Sequence, residues 1–182
     1  MNPPARHIVT VFGASRVGPD SAEYRLGYEL GLRLGEAGFS ICNGGYDGTM
    51  EAVAKGIRES GGRSIGVLVE SLEGRTHNPY IDEVERTEGL LYRLERLVTL
   101  GEAYLVLPGG IGTLLELALV WNLSTVRELE KPIILIGKEW HQAIDRLSDH
   151  ILLREGDRER LIHVHTTDAV VAMLREHFGT AS

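Results

Sequence analysis

The chain has 182 residues, 22 of them glycine and 6 proline, a single cysteine and a net charge of −7 at neutral pH. Average glycine usage of about 7 % would give about 13, but the surplus follows no three-residue period, which excludes collagen-like and low-complexity classes. The acidic balance argues against nucleic-acid and anionic-membrane partners, which need a basic face.

Cys42 alone permits neither an internal disulfide nor a paired-thiol metal site, and points to a reducing cytosol. Apolar runs reach about seven residues, against the ~20 that span a bilayer. The stretch Met1 to His7 lacks the apolar core of a signal peptide. A cytoplasmic location is therefore expected.

Taken in chain order, His7 to Phe12 reads as a β-branched strand ending at Gly13. Ser21 to Ala37 has helical periodicity with Gly38 as its stop. Phe39 to Cys42 is a second strand, Asn43 to Gly48 a glycine turn, and Thr49 to Ser60 a helix closed by Gly61-Gly62. Arg63 to Val69 is a third strand. The stretch Glu70 to Asp82, with Gly74, Asn78 and Pro79, is irregular, and Glu83 to Leu100 is expected to be helical. Ala103 to Leu107 is a fourth strand, Pro108 to Thr113 a glycine turn and Leu114 to Thr125 a helix. Pro132 to Ile136 is a fifth strand and Glu139 to Leu153 a helix. Arg154 to Arg160 is a charged loop, Leu161 to Val164 a sixth strand and Thr167 to Phe178 a closing helix.

Continuously apolar strands separated by helices predict an α/β protein: a Rossmann-like, doubly wound parallel sheet in a three-layer α/β/α sandwich. With no repeat and no linker-like shift in composition, residues 1–182 read as one domain.

In such a sheet, ligands sit at the carboxyl ends of the strands, where turns into helices expose N–H groups suited to anions. Three glycine turns fall there: Gly13 to Gly18, Gly44 to Gly48 and Pro108 to Thr113. Glycine in one turn merely permits tight geometry; three at equivalent positions point to a phosphate-bearing ligand. A P-loop is disfavoured because Pro19-Asp20 follows Gly18 where Lys-Ser/Thr is required. Ordinary dinucleotide binding is disfavoured because Ser15 replaces the middle glycine and Asn43 ends the second strand. Thr113 and Glu116 have the spacing of a capping box. The other reading is that Thr113 and the glycine N–H groups hold a phosphate while Glu116 faces the sugar. Arg93, near Glu95 and Arg96, fits a solvated helix face.

Pro108-Gly109-Gly110-Ile111-Gly112-Thr113-Leu114-Leu115-Glu116 resembles the PGGxGTxxE signature of the LOG ("Lonely guy") phosphoribohydrolases, often labelled lysine decarboxylases. Val11 to Arg16 is similar to that family's opening strand and turn, and Gly44 to Met50 to its GGxxGxM turn. The resemblance covers most of the chain. It implies hydrolysis of the N-glycosidic bond of a nucleoside 5′-monophosphate (AMP or a cytokinin riboside monophosphate), without cofactor or metal, by a homodimer with sites near its interface. It also implies a catalytic pair: Glu116 and an arginine on the preceding helix, which ungapped counting places at Arg93. The phosphate and sugar would be held by Gly109, Gly110, Gly112 and Thr113, and Gly13, Ser15, Gly44, Gly45, Gly48 and Met50 would complete the pocket. The segment Leu90 to Leu94 lacks the His and Lys that flank the family's arginine, which leaves Arg96 as the alternative. Asn43 stands where a third glycine is usual. A second reading is a non-catalytic carrier of a nucleotide or of the molybdenum (pterin) cofactor.

Lysine decarboxylation is not expected. It needs a Schiff-base lysine, and Lys55, Lys131 and Lys138 lie in no cofactor-like setting. His163 and His165 are expected to alternate onto one strand face, as a structural pair more than a metal site. Cys42 is expected to be a buried inert thiol. Trp121, Trp140 and the apolar Leu114 to Leu123 face are expected in the core or against a partner subunit.

Overall fold

A computed structural model describes residues 7–70 and 76–179. The elements are β1 (Ile8–Phe12), α1 (Ala22–Glu36), β2 (Ser40–Asn43), α2 (Thr49–Glu59), β3 (Ser64–Val69), β4 (Glu83–Thr87), α3 (Leu90–Leu100), β5 (Ala103–Val106), α4 (Ile111–Thr125), β6 (Ile133–Ile136), α5 (Lys138–Ser148), β7 (Leu161–Val164) and α6 (Thr167–Phe178). The seven strands form one parallel sheet in the order β4-β3-β2-β1-β5-β6-β7. The chain winds outward from β1 to β4 and then returns to place β5 beside β1, so the order reverses between β1 and β5. This is the Rossmann-like, doubly wound arrangement.

The central strands are buried on both faces, which is why they read as unbroken apolar runs. Along β5, Ala103 and Leu105 join Val9, Val11, Leu30, Leu34, Val53 and Ile57 on the side of α1, α2 and α6. The alternate residues Tyr104 and Val106 join Phe12, Leu97, Leu117, Trp121, Trp140 and Ile144 on the side of α3, α4 and α5. The buried indoles donate to main-chain carbonyls, Trp121 to Asp157 and Trp140 to Leu107. Cys42 is fully buried, and burial pushes its thiol up to about 12, so it is an inert core group.

Helix α1 starts where Ser21 accepts the Tyr24 N–H at 3.1 Å, and α6 where Thr166 accepts that of Ala169 at 3.2 Å. The glycines inside α1 serve close packing against α2. A Cβ on Gly31 would collide with the Val53 carbonyl oxygen, and one on Gly56 of α2 with that of Tyr28. The two backbones touch where side chains would hold them apart.

Several boundaries differ from the sequence expectation. Of the irregular stretch over 70–82, residues 71–75 lie outside the described residues. Glu83 to Leu100 is not one helix but edge strand β4 followed by α3. In Glu83-Val84-Glu85-Arg86-Thr87 only Thr87 is buried, so the strand carries the charges of an exposed edge and imitates a solvated helix face. Gly89, in extended conformation, separates the two. Helix α5 ends at Ser148, five residues early, where the His150 and Ile151 N–H groups both close onto the Leu147 carbonyl. His163 lies on β7 but His165 falls beyond its end, so the two do not share a strand face; the His163 ring meets that of His141 edge-on, centroids 4.8 Å apart. Among the described residues no helix is long and apolar enough to cross a membrane.

Replacing Gly31 with Ala is expected to lower stability by a net of up to about 2 kcal/mol, because overpacking against a fixed carbonyl costs about 1–3 kcal/mol and only roughly 1 kcal/mol of helix propensity is gained. Urea unfolding measured beside wild type checks this.

Candidate active site

The three glycine turns follow β1, β2 and β5, which are neighbours in the sheet, so they converge at one end of the molecule. The first two are packed backbone to backbone. The Thr49 N–H and hydroxyl both donate to the Ala14 carbonyl, at 2.8 and 3.1 Å. A Cβ on Gly13 would strike the Thr49 hydroxyl, and one on Gly48 would strike the Ala14 carbonyl oxygen. These glycines let two loops pack backbone to backbone. Ser15, beside them, is exposed.

The third turn leads directly into α4. Gly110 is the N-cap, with no side chain bonded to the first-turn amides. The expected capping box is therefore corrected: Thr113 is the third residue of the helix, not its cap, and Glu116 lies a turn deeper. Space is open where a Cβ would stand on Gly110 and Gly112, whereas one on Gly109 would strike the hydroxyl of Thr113. A helix start with exposed, uncapped N–H groups suits an anion.

Glu116 faces inward and is only 8 % exposed. Burial pushes its carboxyl up from 4.5 to about 7, and the Arg93 guanidinium opposes that shift. Arg93 reaches in from the first turns of α3, placing Nη1 3.6 Å from Glu116 Oε1 while Nε donates to the Val67 carbonyl at 2.9 Å. Arg96 points elsewhere. It grips Glu85 on β4 through Nε and Nη2, at 2.8 and 2.9 Å, so of the two candidates only Arg93 meets Glu116. Helical spacing could not separate two arginines three residues apart on α3; the strand that carries Glu85 does.

The second turn flanks this pair. Gly44 lies against the Arg93 guanidinium and the Met50 sulfur, since a Cβ there would collide with the former and approach the latter to 2.8 Å. Gly45 has φ +73°, the left-handed region that favours glycine. Asn43, in place of a third glycine, is a bracket: its Oδ1 accepts the Gly45 N–H at 2.8 Å and its Nδ2 donates to the Met50 carbonyl at 3.0 Å. Tyr46, Met50 and Leu68 form a small buried cluster beneath. Sequence reasoning assigned no role to the ring of Tyr46 or to the side chain of Asn78. Asn78 bonds the carbonyls of Gly45 and Tyr46 from the connection between β3 and β4. The only local signal was the Asn-Pro turn, which says nothing of a partner 33 residues away.

The family described as "Possible lysine decarboxylase" matches residues 50–174. The chain is 32 % identical over 126 residues to the "Cytokinin riboside 5'-monophosphate phosphoribohydrolase" of Mycobacterium tuberculosis, covering 68 % of this chain and 67 % of that protein. It is 28 % identical over 177 residues to the "Cytokinin riboside 5'-monophosphate phosphoribohydrolase LOG" of Oryza sativa subsp. japonica, covering 93 % and 73 %. In three dimensions it is similar to the molybdenum cofactor binding protein from the phototrophic bacterium Rippkaea orientalis, with a TM-score of 0.77 over 97 % of this chain and 99 % of that one; at 19 % identity this is a likeness of fold.

Glu116 is expected to titrate near pH 7 by carboxyl carbon NMR. Arg93→Gln should move that titration to higher pH and Arg96→Gln should leave it in place. Because the folded value lies above the unfolded one, this group's contribution to stability is full below about pH 4 and is lost as pH rises through about 7.

Proposed function

The chain belongs to the family described as "Possible lysine decarboxylase", the LOG family, and on that premise we propose that it hydrolyses the N-glycosidic bond of a nucleoside 5′-monophosphate, giving free base and ribose 5-phosphate. The observation that carries this reading is the buried Glu116 facing Arg93 one turn inside a helix whose amides are uncapped. The 5′-phosphate docks on the N–H groups of Gly109, Gly110 and Gly112 and on the Thr113 hydroxyl. The sugar then lies over Glu116, with Ser15 and the turn containing Gly44, Gly45, Gly48 and Met50 around it.

Breaking the bond leaves positive charge on the ribose, as in glycoside hydrolysis. An ionised carboxylate aimed at that charge in a water-poor site stabilises the transition state and can orient the attacking water. Arg93 draws Glu116 back toward the ionised form against the larger pull of burial, so the carboxylate is populated as pH rises through about 7. No cofactor enters this scheme.

Decarboxylation by a Schiff-base lysine finds no counterpart here. Lys131 donates to the Gly101 and Val98 carbonyls at the amino end of the sheet, opposite the glycine turns. Lys55 lies between the rings of Tyr28 and Tyr80, and Lys138 is exposed at the start of α5. The rival reading, a nucleotide or molybdenum-cofactor carrier, needs the glycine turns but not an acid buried beside an arginine.

The reading includes a second copy of the chain. Leu90, Leu91 and Tyr92 at the start of α3 and Ile111, Leu114 and Leu115 on α4 are exposed, Leu91 at 79 % and Ile111 at 83 %. Helix α4 thus buries one side in the core through Leu117, Val120 and Trp121 and leaves an apolar side uncovered. That side continues into a 340 Å³ groove that Trp121, Val126 and Ile151 help to line. Apolar surface of this kind marks an interaction site, and the helices that carry it also carry Arg93 and Glu116.

Wild type incubated with AMP and related monophosphates is expected to release ribose 5-phosphate, with kcat/KM rising as pH passes through about 7. Glu116→Ala should lower the rate at least ~100-fold, the loss typical of removing one electrostatic stabiliser. No release across the panel, or full activity in Glu116→Ala, refutes the hydrolase; a tightly held nucleotide recovered intact favours the carrier. In sedimentation velocity the wild type should run as a dimer and Leu115→Asp as a monomer.

A further inference from the structure

Arginine is long and flexible, yet Arg93 is walled in on three sides before it meets Glu116. Nε donates to the Val67 carbonyl of β3 at 2.9 Å. The Tyr46 ring lies alongside, its centroid 5.8 Å from the guanidinium carbon, within the range of a cation–π contact. Gly44 backs Nη2 so closely that a Cβ there would collide with it. Nη1 is then left facing Glu116 Oε1. Two of these three walls belong to one turn, residues 44–46.

That turn is held from outside by Asn78, which is 2 % exposed. The Asn78 N–H donates to the Gly45 carbonyl at 2.9 Å. Its Nδ2 donates to the carbonyls of Gly45 and Tyr46, at 3.1 and 2.9 Å, and its Oδ1 accepts the Tyr80 N–H at 3.0 Å. Both amide protons are thereby committed to the turn, and the acceptor ties Asn78 to its own loop. Asn43 brackets Gly45 from the β2 side, and the Val69 N–H donates to the Tyr46 hydroxyl at 3.3 Å, fixing the outer end of the ring.

We propose that Tyr46 and Asn78 are positioning residues for the Arg93 guanidinium: Asn78 clamps the 44–46 turn, and the turn presses Gly44 and the Tyr46 ring against Arg93 so that it faces Glu116. A purely local role for the Asn78 side chain would be met by its bond to Tyr80, and leaves the two Nδ2 bonds across to Gly45 and Tyr46 unexplained. The catalytic consequence rests on the hydrolase reading above; the restraint on Arg93 does not.

Two measurements keep these apart. The first follows the Arg93 Nε–H by NMR, assigned with Arg93→Lys. Its exchange with water is slow in wild type and in Tyr46→Phe, which keeps the ring, and at least ~10-fold faster in Tyr46→Leu and in Asn78→Ala once the side chain is released. The second is kinetic. Tyr46→Leu and Asn78→Ala lower kcat about 10- to 100-fold, as misplacement of a reacting group does, with KM changed far less, and Tyr46→Phe restores most of the rate. In an Arg93→Ala background, adding Tyr46→Leu changes kcat less than about twofold, because groups acting through one another are not additive.

If Arg93 exchange stays slow in both Tyr46→Leu and Asn78→Ala, or if Tyr46→Leu costs as much without Arg93 as with it, the proposal is overturned. Should Asn78→Ala fail to fold, Tyr46→Leu decides alone. An inactive wild type that shows the expected exchange pattern refutes the hydrolase and supports the restraint.

Discussion

A carboxylate removed from water must be paired, hydrogen-bonded or protonated, and the arrangement around Glu116 answers that requirement only partly. Burial drives its affinity for a proton upward and the Arg93 guanidinium draws it back, leaving the group balanced near neutrality. The separation of 3.6 Å is an ion pair, too long for a hydrogen bond. The arginine therefore restrains the carboxylate electrostatically without occupying its lone pairs. Such a group is a costly element in a resting protein and a useful one beside developing positive charge. The loops nearby are arranged around keeping the pair in register: α3 delivers Arg93, β3 and the 44–46 turn hold it, and α4 delivers Glu116.

The sheet order makes this possible. Because β2, β1 and β5 are neighbours, turns distant in sequence meet at one end, and the reversal between β1 and β5 lets α1 and α4 leave on opposite faces. Close approach of the first two turns depends on main-chain atoms touching, as does the α1–α2 contact through Gly31 and Gly56. Much of the glycine surplus is thus spent on backbone proximity in the scaffold, and a smaller part on the open helix start at Gly110 and Gly112.

What was legible in the sequence followed from local pattern. Doubly buried strands announced a parallel sheet, Ser21 announced the start of α1, and the glycine turns announced the carboxyl edge. What was hidden depended on distant partners. Strand β4 carries the charges of a solvent edge, so Glu83 to Thr87 merged with the helix behind it. That misreading had a cost at the candidate site, because Glu85 is the partner that occupies Arg96; with β4 taken for helix, nothing in the spacing separated Arg96 from Arg93. The apparent capping box had the opposite origin: the spacing of Thr113 and Glu116 was real, but Gly110 starts the helix earlier and turns both side chains inward. Asn78 could not be found locally, since its meaning lies in carbonyls more than 30 residues away.

The glycines of the candidate site fall into two kinds, and they bear on how such a sequence can drift. At Gly13 and Gly48 any side chain would run into a neighbouring loop, so substitution is paid in folding. At Gly110 and Gly112 the space is vacant, and a larger residue leaves the scaffold standing while covering the amides that an anion would reach. A lineage released from selection on its ligand would lose the second kind first and keep the first. Folded descendants of this chain with an intact sheet and a blocked helix start are therefore an accessible evolutionary endpoint.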